Sequence, residues 1–281
     1  MKVALASALL ACAFAAPAHA DDCKHTAHRT ANSAGPDIER VVVEAGAGDL
    51  VVRGAEGRDV KVDGKACASS VKLLDEIRLE IRRDGNTVYV RTLMPDMSLS
   101  LFGSHNAYMD VTVAVPKTAT LKIDDSSGDM EVTDVQAATI ADSSGDQTLQ
   151  RIAGDLEVAD SSGEIKIVGV GGGLRLKDSS GDVDVSDVRG DVMVEVDSSG
   201  DLDIRSVTGS VHIREDSSGD IEIHDVKRDV TIDDDSSGGI LVQDVGGNFT
   251  VGNDGSGGIR YERVTGSVRV PDLYGDRKSV V

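Results

Sequence analysis

Tryptophan is absent from the 281-residue chain, and Phe and Tyr bring the aromatic share to only 2%. Sugars or bases that bind by stacking on rings would find almost no platform here. Basic residues are also scarce, with 29 Lys and Arg against 49 Asp and Glu, a formal net charge of −20. Nucleic-acid binding needs a basic face that releases counterions, so this balance argues against it. It argues equally against unaided adsorption to anionic membranes. Beyond residue 20, no segment approaches the ~20 consecutive apolar residues that span a bilayer as a helix. What remains is 40% hydrophobic and 28% charged. That is enough apolar material for a real core in one or two domains, and it fits neither a membrane-embedded protein nor a disordered tail.

The first 20 residues read as a secretory signal peptide. Lys2 supplies the positive start, Val3 to Ala16 the apolar stretch, and Ala18-His19-Ala20 a small-x-small cleavage site. The product is expected to be periplasmic or secreted. In the competing reading, Leu9-Leu10-Ala11-Cys12 is a lipoprotein signal anchored through Cys12, with a short apolar region for that purpose. Cleavage after Ala20 leaves Cys23 and Cys67, and an isolated pair in an oxidising compartment is expected to form one disulfide. Cys23, His25 and His28 could instead be metal ligands, but they lack a fourth ligand and a helical framework. Residues 21–39 are expected to be a flexible extension.

The informative pattern lies further on. Asp-Ser-Ser-Gly begins at Asp125, Asp142, Asp160, Asp178, Asp197, Asp216 and Asp235, and a variant, Asp-Gly-Ser-Gly, begins at Asp254. The steps are 17, 18 and 18 residues, then 19 throughout. Val135, Ile152, Val170, Val188, Val207, Val226, Val245 and Val264 keep the same step. Two unrelated markers sharing one period identify a repeat architecture. Inside each unit the apolar period is two, as in Val192 and Val194, Leu202 and Ile204, Val211 and Ile213. That alternation predicts half-buried strands.

The predicted fold is therefore all-β, a single-chain parallel β-solenoid (β-helix) with two short strands per 17–19-residue coil and coils ~4.8 Å apart. Gly128 and its equivalents are expected at positive φ. Each turn Asp is expected to accept a hydrogen bond from the amide two residues on. One Ser of each pair is expected to face inward, the stacked hydroxyls satisfying one another. Gly190, Gly209, Gly247 and Gly266 mark the opposite corner. Residues 40–120 read as an irregular β section that caps the solenoid or begins it, 121–270 as the solenoid, and 271–281 as a tail. Within the cap, Ser70 to Glu76 suits a short helical turn and Asp84-Gly85-Asn86 a hairpin turn. Residues 94–108 form a polar loop.

The strand Val111 to Val115, followed by Pro116-Lys117 and then Leu121 to Asp129, leads into recurrent Ser-Gly-Asp-Val/Ile-x-Val/Ile units. In this the chain resembles the bacterial adhesin-like β-strand-repeat family, a domain of unknown function. The likeness spans about residues 40–270. It implies a β-helical, envelope-associated, non-catalytic protein.

Residues 121–258 hold 31 acidic and 10 basic side chains, so the repeats carry the whole charge excess. Asp125 and its equivalents form one column. Asp129, Asp146, Glu164, Asp182, Asp201 and Asp220 form a second, which ends at Gly239 and Gly258. Neighbouring carboxylates ~4.8 Å apart repel by ~0.9 kcal/mol even in water. Solvent, turn hydrogen bonds and dissolved counterions are one answer. Bound Ca²⁺ is another, since rows of carboxylates, hydroxyls and carbonyls are the hard oxygen ligands it takes. Calcium-binding repeat-in-toxin rolls have coils of similar length, but their Gly-Gly-x-Gly-x-Asp differs from the single Gly and Ser pair here.

No catalytic or cofactor-binding residue is assigned. Asp235-Ser236-Ser237-Gly238-Gly239 resembles the surroundings of a serine-protease nucleophile, yet it is a copy of the structural turn. His105, His212 and His224 stand in no fixed relation to it. The reading is a non-catalytic binding or structural module presenting a rigid acidic face to an envelope or surface partner, with no nucleic acid. The alternatives are a polysaccharide-acting β-helical enzyme with its chemistry near 94–108, where the repetition breaks, and a Ca²⁺-dependent folding module.

Overall fold

The structure is a computed structural model that describes residues 23–35, 37–96, 106–271 and 279–280. The signal segment with Cys12, most of the 94–108 loop with His105, and most of the tail lie outside the described residues.

Seven strands and one short helix precede the repeats. They are β1 (His25–Ser33), β2 (Arg40–Glu44), β3 (Leu50–Ala55), β4 (Val60–Ala68), α1 (Val71–Glu76), β5 (Arg78–Asp84), β6 (Thr87–Leu93) and β7 (Ala107–Pro116). From β8 (Thr120–Asp124) and β9 (Met130–Thr133) onward, strands follow in pairs, one pair per repeat. The last full pair is β22 (Phe249–Asp254) and β23 (Ile259–Val264), and the short β24 (Val268–Arg269) and β25 (Ser279–Val280) close the series.

Even-numbered strands from β8 to β24 lie in one parallel sheet and odd-numbered strands from β9 to β25 in the other. The chain is a parallel β-solenoid, and its period-two pattern sets the register. Val192 lies beside Val211, Val211 beside Val230 and Val230 beside Phe249; on the other sheet Leu202, Ile221, Ile240 and Ile259 align in the same way. Slipping any coil by one residue would turn its aliphatic side chains into water. Each such side chain contributes roughly 1.5–3 kcal/mol through burial. The interior is filled by Val, Ile and Leu, and Phe249 is the one buried ring among the described residues. The change of step from 18 to 19 has a visible cause. Leu176 pairs with Val194 but Lys177 pairs with Val196, so a bulge holds the extra residue just before the turn.

Two corrections are needed at the N-terminal end. Of the two readings of 40–120, cap or beginning, neither holds alone, because the section does both: β2 and β3 form a coil that lies directly against β8 and β9, and β6 and β7 lie against β2 and β3. The chain therefore leaves the stack after β3, builds its cap, and returns through β6 and β7 on the outer side of the first coil. The corner of that coil, Ala45-Gly46-Ala47-Gly48, aligns with Asp125-Ser126-Ser127-Gly128, and Ala47 bridges to Ser127. Its lack of Asp and Ser hid it from the motif count. The cap proper consists of strands of opposite sense: β4 on β7, β1 on β4, and β5 on β6. Antiparallel addition ends the parallel stack, covering an edge that would otherwise recruit another chain.

The second correction concerns the extension 21–39. Residues 25–33 are not flexible but form β1, paired along its whole length with β4 from His25 opposite Ala68 to Ser33 opposite Val60. Cys23 and Cys67 are joined in a disulfide with Cα atoms 5.6 Å apart, fastening the start of β1 to the buried end of β4. Ser70 caps α1, its side chain accepting from the Leu73 amide at 3.3 Å, and the helix tucks Leu74 into the core.

Candidate functional site: an acidic corner in two columns

At each Asp-Ser-Ser-Gly corner the chain must leave one sheet and enter the other within about four residues. The glycine makes this possible. Gly128, Gly145, Gly163, Gly181, Gly200, Gly219, Gly238 and Gly257 have φ between +116° and +142°, a region open to essentially no other residue. They also lie one above another so closely that a Cβ at Gly219 would run into the carbonyl oxygen of Gly200.

The aspartate that opens each corner points inward. Asp125, Asp142, Asp160, Asp178, Asp197, Asp216, Asp235 and Asp254 are all buried, with Asp178, Asp197 and Asp235 wholly so. The expectation of an inward-facing Ser is thus overturned: Asp takes the interior position and both serines face outward or half outward. Ser hydroxyls do not stack on one another either. The second Ser of a pair donates to the main-chain carbonyl of the first Ser one coil back, as from Ser180 to Ser161 at 3.0 Å and from Ser218 to Ser198 at 3.2 Å.

At three of the corners the Asp holds its own turn. There its Oδ1 accepts from the amide of the very next residue, where the amide two residues on was expected: Ser126 to Asp125 at 2.8 Å, Ser143 to Asp142 and Ser179 to Asp178 at 2.7 Å. That fixes the turn at the cost of a carboxyl placed among aliphatic side chains. Burial pushes Asp125 and Asp197 up to about 7, Asp160 and Asp235 to about 6, and Asp216 to about 8, with carboxyls above and below adding to the rise.

The second column is different in kind. Asp129, Asp146, Glu164, Asp182, Asp201 and Asp220 are exposed. The Asp Oδ1 accepts from the amide of its own counterpart one coil on: Asp146 to Asp129 at 3.1 Å, Glu164 to Asp146 at 3.0 Å, Asp201 to Asp182 at 3.0 Å and Asp220 to Asp201 at 2.9 Å. Asp49 of the preceding coil does the same for Asp129. Each of these aspartates thereby satisfies an amide at a sheet margin, which offsets the like-charge repulsion, and Asp220 does the same for the Gly239 amide at 2.7 Å.

The opposite corner escaped the sequence reading in part. Its left-handed residues are mostly not glycines: Asp134, Arg151, Asp187, Ser206, Asp225, Asp244 and Arg263 have φ of +54° to +60°. Gly190, Gly209 and Gly266 follow them for a separate reason, because a Cβ there would strike the carbonyl of the glycine one coil back. The frequent Asp at the left-handed position was the available signal, since its short polar side chain tolerates that region. Arg151 grips Asp134, and Arg263 grips Asp244, through paired hydrogen bonds of 2.6–2.9 Å.

Nothing at either corner assembles catalytic machinery. The Ser237 hydroxyl is committed to the Ser217 carbonyl at 3.1 Å, and Asp235 is buried beneath it. His212 lies 2.7 Å from Asp233, and His224 lies 3.7 Å from Glu222. His25 and His28, three apart on β1, fall on opposite faces of the strand, and the Cys23 sulfur is already bonded. Among the described residues, no three His, Cys, Asp or Glu side chains converge as a metal site would require.

The fold and its corner place the protein among parallel β-solenoid repeat proteins whose coils repeat one acidic turn. The chain belongs to the Toastrack DUF4097 family, whose model matches residues 38–252. No curated protein matches it significantly. Among solved structures it is similar to a "putative adhesin" from Parabacteroides merdae, at 12% identity over 92% of this chain and 93% of that one, with TM-score 0.43. A "putative lipid binding protein" from Parabacteroides distasonis matches at 15% identity over 90% and 95% of the two chains, with TM-score 0.42. A "putative adhesin" from Bacteroides fragilis matches at 12% identity over 89% and 99%, with TM-score 0.38. Likeness at this level carries no functional argument. No helix of the described residues is long and apolar enough to cross a membrane.

Proposed function

We propose that the protein is a non-catalytic binding or structural module of the cell envelope, exported to the periplasm or beyond, that presents its outer acidic column as a rigid, evenly spaced row of charge. One observation carries this reading: from Asp129 to Asp220 an exposed carboxylate recurs at the same position on every coil, Asp on five and Glu164 on one. A rod fixed by parallel ladders holds these charges in place at no ordering cost when a partner arrives. The partner class that matches is cationic. The Cys23–Cys67 bond supports an oxidising compartment.

The test replaces Asp129, Asp146, Asp182, Asp201 and Asp220 with Asn and Glu164 with Gln. An Asn side-chain oxygen can still accept the amide of the next coil, so the fold should persist while the charge is lost. The wild-type protein should be retained by its own envelope fraction at low salt and released as salt rises. The neutralised protein should not be retained. Equal retention of both would refute the reading, and release of glycan fragments by purified protein would replace it with an enzymatic one.

A further inference from the structure

The interior aspartates have no role in binding at the outer face, and their chemistry points elsewhere. Eight carboxyls stack in register along the inside of the rod. Both side-chain oxygens of Asp160, Asp197, Asp216, Asp235 and Asp254, and one each of Asp125, Asp142 and Asp178, are buried without a hydrogen-bond partner. A column of ionised carboxylates cannot satisfy itself, because there is no proton between any two of them. Ionisation of all eight in an aliphatic interior would be prohibitive.

We propose that this column is a proton-binding site: at neutral pH neighbouring aspartates share protons in a continuous O–H···O chain through the core of the solenoid, and the stability of the rod is set by their occupancy. The dimensions suit a proton. The two oxygens of a carboxyl are about 2.2 Å apart, given C–O bonds near 1.23 Å, and a charge-assisted O–H···O bond spans about 2.5–2.7 Å. Laid end to end these give about 4.8 Å, the distance between coils. Asp216 and Asp235 sit side by side in register on adjacent coils, with all four carboxyl oxygens buried and unpartnered. A metal ion fits poorly by comparison. A cation between two coils would meet only the two adjacent carboxyls, whereas Ca²⁺ takes 6–8 oxygens and a proton needs two.

Burial and the neighbouring carboxyls oppose ionisation along the column, except that Asp216 acts on Asp235 in the other direction. Asp142 and Asp49 face Asp125; Asp142 and Asp178 face Asp160; Asp178 and Asp182 face Asp197. Asp197 and Asp235 face Asp216, and Asp254 and Asp234 face Asp235. The Ser amides of each turn act in the other direction without outweighing burial. Beyond the N-terminal end of the column the aligned positions are Ala45 and then Thr92, whose Oγ1 accepts from the Gly46 amide at 2.8 Å. On strands leaving this corner, Gln147 and the Oδ1 of Asp203 are also buried without a partner.

A carboxyl whose folded pKa stands above its unfolded value binds more protons folded than unfolded in the interval between. Stability then declines as pH rises through that interval, here from about 4 to about 8. Infrared spectra of the wild-type protein at pH 7 should therefore show the carbonyl stretch of protonated carboxyls, lost by pH 9. The melting temperature should fall by roughly 10 °C or more between pH 5 and pH 9. The variant Asp197→Asn, Asp216→Asn, Asp235→Asn keeps donors and acceptors but cannot titrate at these positions. It should lose much of the infrared signal, melt with a shallower pH slope, and exceed the wild type in stability at pH 9. The proposal is overturned if wild-type protein shows no protonated-carboxyl signal at pH 7 or melts independently of pH between 5 and 9. It is also overturned if millimolar Ca²⁺ at pH 8 stabilises the wild type but not the triple variant, which would mean the column holds cations. None of these outcomes depends on what the outer column binds.

Discussion

Replacing Gly219 with alanine isolates the geometry on which the whole stack depends. Gly219 has φ +133°, and a Cβ on it would collide with the main-chain carbonyl of Gly200. An L residue forced into that backbone region costs about 1–3 kcal/mol. The collision adds to this, because the obstacle is backbone and cannot swing aside. To relieve it the corner must separate from its neighbour, weakening the amide contacts from Gly200 to Ser218 at 3.2 Å and from Gly219 to Ser237 at 3.3 Å. At about 1 kcal/mol each, the total is roughly 3–5 kcal/mol. Gly258→Ala is the matched control, since a Cβ there meets nothing within 4 Å and its φ is unremarkable; its cost should lie below about 0.5 kcal/mol. Urea unfolding followed by circular dichroism gives the global effect. Hydrogen exchange across residues 197–240 shows whether the loss is confined to the adjoining coils, as expected for a structure in which each repeat touches only its neighbours. A Gly219→Ala protein within 1 kcal/mol of wild type would refute the close-stacked corner and the register built on it.

Other consequences are equally concrete. Replacing Cys23 and Cys67 with Ser should lower stability by about 2–4 kcal/mol and speed proteolysis within residues 25–33, because the bond fastens the start of β1, an edge strand that pairs with β4 alone; unchanged cleavage there would count against the fastening role. Ser206→Val should cost about 1–3 kcal/mol, because a β-branched side chain is placed at φ +58°, whereas Ser206→Asn should be nearly neutral; urea midpoints for the two variants decide it. Asp201→Ala, which strips the acceptor from the Asp220 amide, should cost about 0.5–1.5 kcal/mol, with Asp201→Asn recovering most of it in the same assay.

Period-two alternation around a 17–19-residue step was enough to predict parallel coils, because only one register buries Val192, Leu202, Val211 and their equivalents together. The eight turn aspartates were legible as a column for the same reason. Their direction was not. An Asp-Ser-Ser-Gly sequence states that a turn occurs, and either Ser or Asp could occupy the inner position. The inner position went to Asp, and at Asp125, Asp142 and Asp178 its oxygen takes the next amide from there. Gly190, Gly209 and Gly266 were visible at the other corner, but the left-handed positions before them were hidden behind Asp, Arg and Ser, residues with no single signature.

What the amino-acid order determined by itself was everything that repeats: strand, turn, step, and the sign and spacing of the charge. Each of these is decided within one coil and copied along the chain. The tertiary structure alone decided which carboxyl column is sealed and which is wet, and that a coil lacking the motif, Arg40 to Ala55, joins the stack out of chain order between β7 and β9. These depend on contacts between coils, whose facing residues are 17 or more positions apart. A local pattern carries no information about such contacts until the coils are stacked.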